Sequence, residues 1–185
     1  QPGRKEKVGL DLPKGVKIKS EPDKSLTQLL LDGDIDVINA AHPPQPFEDR
    51  TGAIVRLYPN YREVEAEYYK STGVWPIMHF FAIRRDVFEA NRWIARNLYK
   101  AFDEAKNRCM TSALEMTASR FPFAWCYESA EQARDLFGDD FFPYGIEPNR
   151  TTLEAFLQYT HEQGLAHRLV KVEELFPPEL QGEFK

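Results

Sequence analysis

The sequence predicts an α/β fold, helix-rich and with few strands, on three observations. A short helical pattern runs directly into an alternating β-branched segment between residues 26 and 39. A wholly apolar segment at 76–83 has the length and composition of a buried strand. Elsewhere apolar residues recur at helical spacing over long stretches.

Asp23 or Ser25 can cap a helix whose Leu26, Leu29 and Leu30 share one face, and Gly33 is its stop signal. The run Asp34-Ile35-Asp36-Val37-Ile38-Asn39 then predicts a strand, which makes this stretch the αβ half of an α/β unit. Ahead of it, residues 8–18 are short apolar steps broken by Pro13 and Gly15 and predict extended chain. After it comes Ala40-Ala41-His42-Pro43-Pro44-Gln45-Pro46-Phe47, whose prolines argue against helix and central strand alike. The expectation is a stiff loop at the strand's carboxyl end, where ligands bind in open α/β sheets.

Residues 60–69 predict a helix rich in Glu and Tyr. Pro76-Ile77-Met78-His79-Phe80-Phe81-Ala82-Ile83 is apolar on both faces and predicts a strand covered by helices on either side, with Asp86 as N-cap of the next helix. Ile94, Leu98, Ala101, Phe102 and Ala105 mark a long amphipathic helix that runs or restarts through Cys109 to Met116. Ser129 with Gln132 suggests a capping box for a helix ended by Gly138. Thr151 with Glu154 suggests another, with Leu153, Phe156, Leu157 and Thr160 on one face and Gly164 as stop. The tail from Val172 has one short turn and then Pro177-Pro178, which places it on the surface.

Composition bounds the function. With 185 residues the chain can bury roughly 70% of its unfolded surface. The net charge is -5 and Lys and Arg form no long run, which argues against nucleic acid as a partner. No apolar stretch reaches the ~18 residues that would cross a bilayer, so no membrane partner is expected either. Cys109 and Cys126 form no CxxC pair and join no His/Cys cluster, so no metal is expected and the two thiols read as buried and reduced. Gln1-Pro2-Gly3-Arg4-Lys5 has neither an initiator Met nor an apolar h-region, which reads as a processed end or a cut within a longer protein. Two or three strands are also few for a self-contained parallel sheet, and the deficit predicts sheet partners upstream.

Three stretches carry a family resemblance: Leu31-Asp32-Gly33-Asp34-Ile35-Asp36, Tyr58-Pro59-Asn60-Tyr61-Arg62-Glu63-Val64-Glu65 with Tyr68-Tyr69, and Gly73-Val74-Trp75-Pro76-Ile77-Met78-His79. Ile83-Arg84-Arg85-Asp86, Asn97-Leu98-Tyr99-Lys100-Ala101-Phe102 and Phe142-Pro143-Tyr144-Gly145-Ile146-Glu147-Pro148-Asn149-Arg150 continue it in order. Together they resemble the 4,5-dihydroxyphthalate decarboxylases. The resemblance implies the C-terminal portion of a two-lobed, type II periplasmic binding protein-like fold, with the N-terminal portion of the same protein absent from this chain. Residues 1–56 would then be the second half of one lobe and 57–75 a connecting helix and loop. Residues 76–185 would be a crossover strand and the helical part of the other lobe.

It also implies a cytoplasmic carboxy-lyase without a cofactor, converting 4,5-dihydroxyphthalate to protocatechuate and carbon dioxide, with a small aromatic carboxylate as its partner. The alternative on the same fold is a periplasmic solute-binding component of an uptake transporter for a small organic acid. A sensor domain is a third reading, weakened by the lack of a helix-turn-helix.

The chemistry needs a general acid at the ring carbon, a group to draw the phenol proton, and cations for the remaining carboxylate. His79 and His42 fit acid–base work by residue type, though His79 can equally be a core histidine and His42 a plain loop residue. Arg84 and Arg85 can grip a carboxylate, or else pair with Asp86 or Glu89. Asn39 at the strand's end, Tyr58 and Tyr144 complete the substrate-binding set, with packing as the competing role for the tyrosines. Arg150 reads as solvated, Glu63, Glu65 and Glu67 as solvent-facing, and His161 and His167 as belonging to no site.

Overall fold

The computed structural model describes residues 9–182, so Val8, the start of the first expected extended segment, and the termini lie outside the described residues. Helix accounts for 49% of it, and among the described residues there is no strand and no sheet. The α/β expectation, and the two-lobed binding-protein architecture with it, is overturned. The physical reason is that β-propensity measures how a side chain fits a neighbouring pleated surface, and a strand exists only through its partners. The runs at 34–39 and 76–83 have no partner strand among the described residues; both are irregular, the first bending at Asp34 and Asp36 with the Asp34 and Ile35 amides donating back to the Leu29 carbonyl.

The chain divides into two compact units, Gln1–Ser71 with Thr160–His167, and Thr72–Tyr159 with Arg168–Lys185. In the first, helix α1 (Leu26–Asp32) begins and ends where its residues say. The Ser25 hydroxyl accepts from the Gln28 amide at 3.1 Å, and Gly33 closes the helix at φ 77, its N–H reaching the Leu29 and Leu30 carbonyls. Leu29 is the buried contact of its apolar face. The proline-rich loop does contain a helix, the single turn α2 (Gln45–Glu48). Pro46 falls in its first turn, where a missing N–H leaves no bond unmade, and this is why the prolines do not forbid it. Helix α3 (Tyr61–Thr72) comes next. The Asp11 amide donates to the Gly164 carbonyl at 2.9 Å, and Gly164, at φ 75, sits too close to the Asp11 carbonyl for a Cβ to fit.

The second unit holds α4 (Arg85–Ala90), α5 (Trp93–Ala113), α6 (Cys126–Phe137), most of α7 (Arg150–Glu162) and α8 (Val172–Leu175). Its core gathers Ile146, Leu153, Leu157 and Val172, with Ile77, Val170 and Phe176 packed against them. Leu153 is 1% exposed, and burial of such a side chain contributes roughly 1.5–3 kcal/mol. The tail is therefore no surface appendage, because Val172 is 3% exposed and part of this core. Phe156, expected on the buried face of α7, is half exposed instead.

Helix boundaries depart from expectation at three places. Helix α4 starts at Arg85, ahead of Asp86, and the chain breaks at Asn91 before α5 runs unbroken through Cys109 to Ala113. Helix α6 starts at Cys126, three residues before Ser129, behind Trp125 in the left-handed region at φ 59; Gly138 ends it as expected. Helix α7 grows out of a 3-10 turn at Glu147–Asn149, so Thr151 is not its cap.

Candidate functional site

Asn39, His42 and Tyr58 belong to the first unit, and all three are exposed in loops. His42 precedes Pro44, the residue from which α2 starts. One turn further on, Phe47 meets Arg56, whose guanidinium carbon lies 5.3 Å from the Phe47 ring centroid and 4.6 Å from that of Tyr61, the first residue of α3. These two cation–π contacts tie α2, the 49–60 loop and α3 together. Glu63, Glu65 and Glu67 are exposed as expected, Glu67 pairing with Lys70.

His79, Arg84, Arg85 and Tyr144 belong to the second unit. His79 is neither in a strand nor buried; Met78, Phe80 and Phe81 beside it are 80%, 54% and 74% exposed, which removes the core-histidine alternative. Its segment is held from the sides, with Phe81 stacked on Phe102 of α5 at 4.0 Å and Phe80 tilted against Phe176 at 6.0 Å. Arg84 takes the ion-pairing role: Nε and Nη2 donate to the two carboxylate oxygens of Asp86 at 2.6 and 2.7 Å, holding that carboxyl below its usual value. Arg85, first residue of α4, is exposed.

Tyr144 is half-buried next to a charge absent from the sequence-derived candidates. The Lys106 side chain is 4% exposed, and its ammonium lies 5.4 Å from the Tyr144 ring centroid. It donates to both oxygens of Asp140 at 2.9 and 2.8 Å and pairs with Asp103 at 3.0 Å. Burial alone would lower its pKa, but the bonds to Asp140 and Asp103 outweigh it and the ammonium is held charged. The sequence does carry a signal for it: Lys106 sits four residues after Phe102, in the apolar stripe of α5. For Arg56 no such signal exists, since residues 47, 56 and 61 match no helical or strand period.

Other expectations resolve simply. Arg150 is not solvated but bridges Glu147 at 2.5 Å, Glu173 at 2.9 Å and Glu154 at 3.5 Å. Cys109 is exposed and Cys126 half-buried, so the two thiols are not the buried pair expected. His161 bonds the Ala166 carbonyl through Nδ1, and among the described residues no group of His, Cys, Asp and Glu could hold a metal. A groove of about 390 Å³ beside the C-terminal half of α5, lined by Glu104, Arg108, Thr111 and Glu115 among others, contains none of the candidate residues.

No family model matches the chain. Over all 185 residues it is 31% identical to a curated protein from Comamonas testosteroni named 4,5-dihydroxyphthalate decarboxylase. The two are distant relatives. The chain spans 56% of that relative, so the match is complete on one side and about half on the other. Among the described residues no helix is long and apolar enough to cross a membrane.

Proposed function

We infer that the chain is part of a decarboxylase acting on a hydroxylated aromatic dicarboxylate, with 4,5-dihydroxyphthalate as substrate and protocatechuate and carbon dioxide as products. The observation that carries this is the identity extending over the whole chain rather than over one motif. The reaction is redox-neutral. A proton adds to the ring carbon that bears the departing carboxylate, the para phenol gives up its proton so that the ring accepts the charge, and the carbon–carbon bond breaks to release carbon dioxide. The electron pair of the broken bond restores the aromatic ring with hydrogen in the carboxylate's place, and the phenolate oxygen takes back a proton to give protocatechuate.

His79 is the residue proposed for the proton transfer to the ring carbon, exposed and able to meet a ligand. For the remaining carboxylate Arg85 is better placed than Arg84, whose fork is already satisfied by Asp86. Tyr144, positioned by Lys106, is proposed to face the ring of the substrate.

The test is direct. The full-length protein that contains this chain is incubated with 4,5-dihydroxyphthalate while carbon dioxide release and the absorbance of protocatechuate are monitored. Turnover supports the reading, and substrate binding without carbon dioxide release would falsify it.

A further inference from the structure

The Arg56 guanidinium is held in place but not neutralised. Phe47 and Tyr61 fix it from two helices, at 5.3 and 4.6 Å. An aromatic ring attracts the charge through its quadrupole yet offers no lone pair to an N–H donor. Among the described residues no carboxylate, carbonyl or hydroxyl accepts from Arg56, although Glu48 and Asp49 come directly after Phe47, Asp49 being engaged by Gln45 instead. Other arginines of the chain have spent their forks on acids: Arg84 on Asp86, Arg92 on Glu179, Arg108 on Glu104, Arg168 on Glu174.

A guanidinium presents five donors in a planar fork that matches a carboxylate. Ordering such a side chain is a cost that binding ordinarily carries; here the rings have already restricted it. The Phe47 and Tyr61 rings add apolar surface beside the fork, and Tyr58, two residues on, is 55% exposed. We propose that Arg56 anchors one carboxylate of an aromatic dicarboxylate ligand, a choice of ligand class that rests on the decarboxylase reading above. His42, five residues before Phe47 on the segment that leads into α2, belongs to the same unit as this anchor.

The experiment uses the full-length protein and two variants. Arg56→Ala removes the cation, and Arg56→Gln keeps a stem to lie over the rings so that the fold is preserved. Binding of phthalate is measured by calorimetry, decarboxylation of 4,5-dihydroxyphthalate by carbon dioxide release, and folding by thermal melts. With melts overlaying the wild type, both variants are expected to bind phthalate about ten- to a hundredfold more weakly, the range for a hydrogen-bonded charge. Phthalate binding within threefold of wild type in Arg56→Gln overturns the anchor, as does a wild type that binds no phthalate. Carbon dioxide release by the wild type together with phthalate binding that does not depend on Arg56 overturns the anchor and leaves the decarboxylase reading standing. Phthalate binding that depends on Arg56, with no carbon dioxide released, keeps the anchor and removes that reading.

Discussion

The backbone amide of Trp75 donates to the Thr152 hydroxyl at 3.1 Å, joining the start of the extended 73–84 segment to the first turn of α7 across 77 residues of sequence. Thr152 is buried at 8% exposure, and the Trp75 ring packs edge-on to Phe137 at 4.8 Å. Thr152→Val keeps the shape and removes the acceptor. It is expected to lower stability by about 1 kcal/mol in urea denaturation. A change below a few tenths would show that water replaces the bond without loss.

The Lys106 cluster gives an asymmetric prediction, because the ammonium is buried while Asp140 is 51% and Asp103 34% exposed. Removing both acids, as Asp103→Asn with Asp140→Asn, strands a buried charge and should cost about 3–5 kcal/mol. Lys106→Met leaves two carboxylates that water can reach and fills the same volume with apolar atoms. Its cost is expected to be less than half as large, and denaturant curves of the two variants decide. Equal losses would argue that the ion pairs, rather than the burial of the lysine, set the energetics.

Glu174 provides the pH dependence. Its Oε2 meets Arg168 Nη2 at 2.6 Å and its Oε1 accepts from the Lys171 amide at 2.8 Å, and these bonds, Arg168 first, draw the carboxyl from its usual 4.5 to about 2. A depressed folded-state pKa stabilises the fold above the unfolded value. That contribution is complete above pH about 4.5 and is lost as the pH falls towards 2. The melting temperature of the wild type should therefore drop across this window. Glu174→Gln should flatten part of the drop, and an unchanged acid limb in the variant would remove Glu174 from the account.

For the reaction itself, His79→Ala is expected to reduce kcat/KM for 4,5-dihydroxyphthalate by at least about a hundredfold if the imidazole transfers the proton to the ring. A reduction below threefold, with the melting curve unchanged, removes His79 from the chemistry.

Local signals in the sequence are legible where the physics is local. Ser25 and Gly33 bound α1 because a hydroxyl cap and a left-handed residue act within one turn, and the Leu153–Leu157 face of α7 marks real packing; on α5 the expected stripe is only partly the packed face, since Leu98, Ala101 and Ala105 are exposed while Ala95 and Lys106 are buried. The β-branched run after Gly33 and the apolar run after Pro76 predict strands that do not form, because a strand depends on partners that no residue within it can signal. The candidate site is legible by residue type alone. That Arg84 is occupied, that Arg56 is held by rings, and that Lys106 lies beneath Tyr144 are products of tertiary placement.

The extended segment has one practical consequence. From Ile77 to Ile83 the main chain makes no hydrogen bond among the described residues, and the seven residues Ile-Met-His-Phe-Phe-Ala-Ile combine high β-propensity with no Asp, Glu, Lys or Arg. Such a stretch is a template for intermolecular strand pairing. The ring contacts of Phe80 with Phe176 and Phe81 with Phe102 hold this segment to its unit, and Phe80→Ala or Phe81→Ala is expected to raise aggregation, which light scattering on heating checks.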